Sequence, residues 1–290
     1  MATLLAYDSF ATTSDGSGGT YSLATADSRI YGQNPTAFNS GFGGAWTNTG
    51  TNSTNLIRLD SEGLNAALLA GSAQNGSAFP NSQNTVRGVA RPFSSSVNST
   101  IEDLMVNSGS LYFSGLIGGP DTVYPASGGD TRYGLADNFN SGGGAIPVGV
   151  FVQTGNSGAL SLNVMGSLTS IIDMDNGTTY LFATRIDFND SEDMHRVSLD
   201  LFTSASTSHL DPIESVTTTV SSATLLASNL SHLILQTGGT QNYSNNTQTP
   251  RFDEFRMGTS LDSIVVIPEP GTLVLLGIAL GTLMLFRRRK

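Results

Sequence analysis

The sequence predicts an all-β fold of the sandwich type, and three observations predict it. Charged residues make up only 12% of the chain, against about 25% in ordinary soluble domains. Their place is taken by 33 glycines and by short hydroxyl and amide side chains, which favour turns and strands over helices. The second half alternates apolar and polar residues with a period of two, the mark of a sheet with one buried face. The breaks between alternating runs carry turn chemistry, at Asp15-Gly16, 141–144, 156–158 and 175–177.

The strands follow in order. The runs 4–10 (LLAYDSF), 55–59, 110–117 and 148–155 read as strands, as do 232–238 and 252–258 (FDEFRMG). In 159–165, Leu160, Leu162 and Val164 alternate with Ser161, Asn163 and Met165. In 178–189, Tyr180, Phe182, Ile186 and Phe188 share one face, while Leu181, Ala183, Arg185 and Asp187 share the other. In 195–202, Val197, Leu199 and Leu201 alternate with Ser198 and Asp200. Asn176-Gly177 predicts a tight turn joining a run at 168–174 to the Tyr180 strand. Helical spacing is weak, confined to short segments at 62–71 and 222–230. No fixed-period repeat points to a solenoid or propeller.

Charge and composition narrow the function. Residues 1–266 hold 9 basic and 22 acidic residues, a net charge of −13, so nucleic acid and anionic lipid are disfavoured partners. The absence of cysteine excludes disulfides, thiolate zinc sites and cysteine nucleophiles. His195, His209 and His232 are scattered, without the close pairing of a zinc site, and read as structural or surface residues. There is no Gly-x-Ser-x-Gly elbow. The only lysine, Lys290, rules out a Gly-x-x-x-x-Gly-Lys loop. Glycosidases built on sandwiches use two carboxylates at alternating positions of one strand. The nearest candidates are Asp173 with Asp175, the solitary Asp200, and the adjacent Asp253 and Glu254, which on a regular strand would face opposite sides. Asp187-Phe-Asn189-Asp-Ser191-Glu-Asp193 spaces oxygens like the start of a calcium loop. It carries Glu192 where glycine is needed and Ser198 where a bidentate glutamate is needed, so it reads as an acidic turn between two strands. Trp46, the only tryptophan, reads as a core plug, with stacking on a sugar ring as the alternative.

The end of the chain is of another kind. Pro268-Glu269-Pro270 precedes an apolar run from Thr272 to Phe286 and a terminal cluster of Arg287, Arg288, Arg289 and Lys290. In order, spacing and position this resembles the PEP-CTERM sorting signal of bacteria, over about 23 residues. The resemblance implies recognition and cutting near Pro268, Glu269 and Pro270 by an exosortase-type membrane enzyme, in proteins associated with exopolysaccharide and biofilm. The physics of the run agrees. Fifteen helical residues span about 22 Å, short of the hydrocarbon core of about 30 Å, and snorkelling arginines with local thinning cover the difference. The basic cluster stays cytoplasmic, which puts the body outside. No basic n-region or long apolar h-region opens the sequence. The expectation is a leader that was removed or missed at the gene start.

The body carries a second, less specific resemblance. LLAYDSF, GFGGAWT (41–47), VRGVARPF (86–93), SLYFSGLI, YLFATRIDFN and RFDEFRMGTSLDSI (251–264) are similar to the laminin-G or concanavalin A-like jelly rolls of PEP-CTERM proteins. That likeness implies the last strand lying beside the first, LLAYDSF against RFDEFRMG. The expected organisation is a jelly-roll ectodomain at 1–262, a linker at 263–271, a single short transmembrane helix at 272–286 and a basic cytoplasmic end at 287–290. The expected role is a non-catalytic envelope or matrix component associated with exopolysaccharide, anchored in the inner membrane until processed. The alternatives are a lectin-like module, with Tyr112, Tyr124 and Tyr133 as the aromatics to inspect, and a glycan hydrolase. No metal or other cofactor is expected, calcium being the alternative.

Overall fold

A computed structural model describes residues 3–10, 30, 32–34, 41–48, 57–60, 64, 66, 69, 77–80, 87–119, 129–137, 146–153, 158–239 and 250–265. Among these the strands are β1 (Leu4–Asp8), β2 (Thr47–Asn48), β3 (Ile57–Asp60), β4 (Ser77–Pro80), β5 (Arg87–Pro92), β6 (Ser110–Gly118), β7 (Gly129–Ala136) and β8 (Val148–Gln153). They continue with β9 (Ala159–Val164), β10 (Ser167–Asp173), β11 (Thr179–Ser191), β12 (Met194–Thr203), β13 (Glu214–Ser221), β14 (His232–Gly239) and β15 (Arg251–Gly258). Two antiparallel sheets result. The front sheet runs β13-β12-β11-β6-β15-β4-β3, with β1 also on β15, and the back sheet runs β10-β9-β8-β7-β14-β5-β2. The chain crosses between the sheets repeatedly, as β5 to β6, β6 to β7 and β14 to β15, in the manner of a jelly roll. The first and last strands do pair, with Leu4 opposite Gly258 and Tyr7 opposite Arg256.

The core lies between the sheets. Phe113 and Ile117 of β6, Tyr180, Phe182 and Ile186 of β11, and Val197 and Leu199 of β12 meet Tyr133, Val150 and Leu235 from the back sheet, all buried. Gly115 of β6 makes room for this contact. A Cβ there would collide with the Tyr133 ring and come within 2.9 Å of Phe182. Trp46 is buried with its ring 6.0 Å from Phe10, which settles the core reading over sugar stacking. Gly177, at φ 66°, makes the expected turn. It joins β10 of the back sheet to β11 of the front, so it is a corner of the sandwich and not a hairpin.

Two expectations are corrected. A twelve-residue helix, α1 (Ser95–Val106), was not foreseen. Ser94 caps it by accepting the Val97 N–H, and Val97 and Ile101 are its buried residues. Its serines, asparagine and threonine disguised a proper i, i+4 apolar pair behind a side-chain cap. The segment 222–230 is instead a turn followed by one 3-10 turn at Ala227–Leu230. Of 62–71, only Leu64, Ala66 and Leu69 lie within the described residues, all buried.

Both ends of β11 differ on its outer side. Leu181 and Ala183 are covered by a second apolar cluster containing Leu64, Leu69, Phe202, Ile264 and Val265, partly supplied by the single helical turn α2 (Leu261–Ile264). Beyond Ala183 the same face turns polar and opens. The single-buried-face expectation holds for that half only. No helix among the described residues is long and apolar enough to cross a membrane. The run 272–286 lies outside the described residues.

Candidate functional site

The polar half of that outer face forms an open groove of about 410 Å³. Period-two alternation builds it, because every second residue of adjacent strands points the same way. Strand β6 gives Tyr112, β11 gives Arg185 and Asp187, β12 gives Arg196, Ser198 and Asp200, and β13 gives Thr217. Register sets these side by side, with Arg185 opposite Tyr112 on one neighbour and opposite Ser198 on the other. Leu261 of α2 walls the apolar end.

Asp187 organises the floor. Its Oδ1 accepts from the Ser110 hydroxyl at 2.5 Å and from Arg185 Nε at 2.6 Å. Its Oδ2 accepts from Arg196 Nε at 3.2 Å and Nη2 at 3.0 Å. Burial alone would raise the pKa of this carboxyl, but the bonds from Ser110, Arg196 and Arg185 together outweigh burial and hold it below the usual 3.8. Arg196 also reaches Asp190 at 3.2 Å, and these bonds hold its guanidinium protonated more firmly than usual. The Arg185 guanidinium stands over the Tyr112 ring at 5.6 Å, a cation–π contact. Further along, Asp200 accepts from the Ser215 hydroxyl at 2.6 Å, and Ser198 from the Thr217 hydroxyl at 3.1 Å.

Asp187 sits opposite Arg196, and Asp200 lies four residues farther along β12. That backbone spacing is about 13 Å along the strand, whereas the carboxyl groups of paired glycosidase residues stand roughly 5–9.5 Å apart. The other carboxylate candidates sit elsewhere. Asp173 and Asp175 are exposed at the β10–β11 corner, with Asp175 Oδ2 accepting the Tyr180 hydroxyl at 3.4 Å.

The Asp253–Glu254 pair corrects the regular-strand assumption. Pairing of β15 with β6 shifts register between Asp253 and Arg256, and Glu254 takes φ 54°, so the two do not simply alternate. Both are fully buried. Asp253 accepts the Leu64 and Glu254 N–H groups, each at 2.8 Å. Burial first, and then the charge of Glu254, push its carboxyl well above 3.8. Glu254 accepts the Tyr7 hydroxyl at 3.3 Å and pairs with Arg256 at 3.2 Å. A second buried pair, Asp8 with Arg91 at 2.6 Å, lies on β1 and β5. The Tyr7–Glu254 bond ties β1 to β15, and the Asp8–Arg91 pair ties β1 to β5.

Asp187–Asp193 spans the end of β11 and the two-residue turn into β12, with Asn189 at φ 51° and Asp193 at φ 60°. Asp187 and Asp190 are engaged by Arg196. No cluster of three metal-ligating side chains occurs among the described residues. His195 is fully buried. Its Nδ1 accepts the Asn189 N–H at 2.9 Å, so Nε2 carries the proton and donates to the Leu225 carbonyl at 3.2 Å. Burial lowers its pKa below 6.5, against that carbonyl bond. His232 is likewise lowered by burial, with Asp137 opposing, and His209 is half-buried in a loop. Of the three tyrosines, Tyr112 lines the groove, Tyr133 is in the core, and Tyr124 lies outside the described residues. Arg185, Arg196 and Ser198 were not singled out as site residues. The signal was present in two facing strands, whose outward positions carry Arg, Asp, Arg, Ser and Asp.

Several solved structures are similar to this chain. A β-glucanase catalytic domain from Podospora anserina is 14% identical over 73% of this chain and 82% of its own, with a TM-score of 0.46. A carbohydrate esterase from Shiga toxin-encoding bacteriophage phi24B is 10% identical over 90% of this chain and all of its own, with a TM-score of 0.46. Peanut lectin is 14% identical over 74% and 97%, with a TM-score of 0.39. No curated protein matches the chain. Pro268, Glu269, Pro270 and Arg287–Arg289 lie outside the described residues, within a segment that has its own sequence match. Residues 266–290 match the PEP-CTERM protein-sorting motif, which implies an exported protein with a membrane-anchored C-terminal signal handled by an exosortase-type system.

Proposed function

We propose that this chain is an exported, non-catalytic component of an exopolysaccharide matrix, and that its ectodomain binds sugar through the front-sheet groove. The tail delivers it and holds it at the inner membrane, body outward, until it is cut near Pro268–Pro270. The groove is the observation that carries the reading. It is an open cleft of about 410 Å³ whose hydrogen-bonding side chains are fixed by one another, with Tyr112 as an aromatic wall. Such a concave, convergent polar surface suits ligand recognition. The spacing of Asp187 and Asp200 supports a binding role over hydrolysis, and Asp187 is spent as a locked anion. Of the two non-catalytic roles, matrix filler and lectin-like module, the groove favours the second, since a filler needs no cleft.

The test is a glycan array probed with the full chain in detergent, with and without calcium. Binding that Tyr112→Ala reduces supports the reading, and no binding to any glycan overturns it. For delivery, the triple change Pro268→Ala, Glu269→Ala, Pro270→Ala should leave the chain unprocessed in the membrane fraction. An unchanged size and location would sink the sorting claim.

A further inference from the structure

We infer that the groove is selective for an acidic polysaccharide, with a uronate carboxylate seated on the outward guanidinium edge of Arg185 and on Arg196. This rests on the sugar-binding reading above and names its ligand class. The inference comes from which hydrogen-bonding groups the groove has already used and which it leaves open.

Asp187 has spent both oxygens, on Ser110, Arg185 and Arg196. The arginines have not spent theirs. Arg185 commits only Nε, which leaves Nη1 and Nη2 as two parallel donors. Arg196 commits Nε and Nη2 to Asp187 and Nη2 to Asp190, which leaves Nη1. Their side chains are 46% and 40% exposed. The other arginines with described side chains are far less open, Arg91 at 2% and Arg132 at 18%, with Arg251 and Arg256 buried. Among the arginines with described side chains, the two open ones stand on neighbouring strands in one cleft.

The open donors are also held in place. The Tyr112 ring supports one face of the Arg185 guanidinium at 5.6 Å, and Asp187 fixes its Nε edge at 2.6 Å. Little rotamer freedom is then left to lose on binding. A planar pair of N–H donors matches a carboxylate bidentately, and charge-assisted bonds are the strong ones. Asp187 and Asp190 balance the two guanidinium charges, so directional bonding, and not a surplus of positive charge, makes the selection. At the other end of the groove, Asp200 engages only Oδ1. Its Oδ2 faces a ligand as an acceptor for sugar hydroxyls, two strand repeats and about 13 Å from Arg196. A uronate polymer supplies both partners, carboxylates and hydroxyls. Because the body carries a net charge of −13, its field disfavours every polyanion. A preference for the acid form therefore reports the local arginines.

The experiment compares one polymer in two charge states. Binding of the full chain in detergent is measured to polygalacturonate and to its methyl ester, for the wild type and for Arg185→Gln, Arg185→Lys and Arg196→Gln. The wild type should prefer the acid by about tenfold or more. Arg185→Gln should shrink that ratio at least about threefold, and Arg185→Lys should fall between, since a point charge lacks the fork. The Trp46 unfolding curve of each variant verifies that it is folded. Equal binding of acid and ester by the wild type, or a ratio untouched by both Gln variants, overturns the inference and leaves sugar binding standing. Binding to neither polymer overturns this inference, and if the array is also blank the sugar-binding reading falls with it.

Discussion

Replacing Asp187 by Asn tests the physical centre of the groove. The carboxylate now serves three donors, Ser110 at 2.5 Å, Arg185 at 2.6 Å and Arg196 at 3.0 Å. The amide keeps one acceptor oxygen and turns an NH₂ group, itself a donor, towards one of the two guanidiniums. Either Arg196 alone, or Ser110 and Arg185 together, therefore lose their partner. Charged hydrogen bonds contribute roughly 1.5–3 kcal/mol, but Arg185 is 46% exposed, so water screens its share. Arg196 is open to solvent, where water screens its pairing. About 1 kcal/mol of lost stability remains, or about 2–4 °C in Tm for a domain of this size. The assay is urea unfolding, which leaves ion pairs unscreened, followed by Trp46, the only tryptophan and a core residue. The pH dependence has a definite sign. The folded pKa of Asp187 is depressed below 3.8, so its contribution is whole above 3.8 and is lost as pH falls through the folded value. The gap between wild type and variant should be full near pH 7 and narrow below about pH 3. No gap at neutral pH, or one undiminished at about pH 2.5, would refute the reasoning.

Other consequences follow from the same geometry. Gly115→Ala should cost about 1–3 kcal/mol or more, because its methyl meets the Tyr133 and Phe182 rings inside the core; a variant as stable as wild type in urea would contradict the packing. Ser94→Ala should cost about 1 kcal/mol by removing the cap of α1, read as the same midpoint shift. His195 should remain neutral as pH falls through 6.5, because burial depresses its pKa. Its ring-proton chemical shift should stay flat there, and a titration at the ordinary value would show the ring is hydrated. Since the unfolded chain protonates first, stability should decline as pH falls below about 6.5.

Much of the strand framework was legible because each strand in the second half contrasts its two faces. Tyr180, Phe182 and Ile186 against Arg185 and Asp187 needed no tertiary information. The buried plug at Trp46 and the structural role of His195 followed from residue type alone. Helix α1 was hidden because its polar residues are weak helix formers, and docking of Val97 and Ile101 against the core stabilises it. Tyr133 illustrates the opposite failure. It was one of the aromatics to inspect for sugar binding, yet Gly115, on another strand in another sheet, gives it a place in the core. Asp253 and Glu254 were misread because a bulge, which no local pattern announced, broke their alternation. The groove residues were visible as outward positions but not as a site, since only cross-strand register makes neighbours of Arg185, Asp187 and Arg196.

The sequence by itself determined the address and the architecture. The Pro-Glu-Pro motif, apolar run and terminal arginines are read linearly by whatever handles them, and period-two burial is a local property of each strand. The tertiary structure alone decided the chemistry of the surface. Whether an outward side chain meets solvent, an apolar cover or another strand's arginine depends on register and on what α2, Leu64, Ala66 and Leu69 cover. Those are long-range facts, set when residues as far apart as Leu4 and Gly258 pair across β1 and β15.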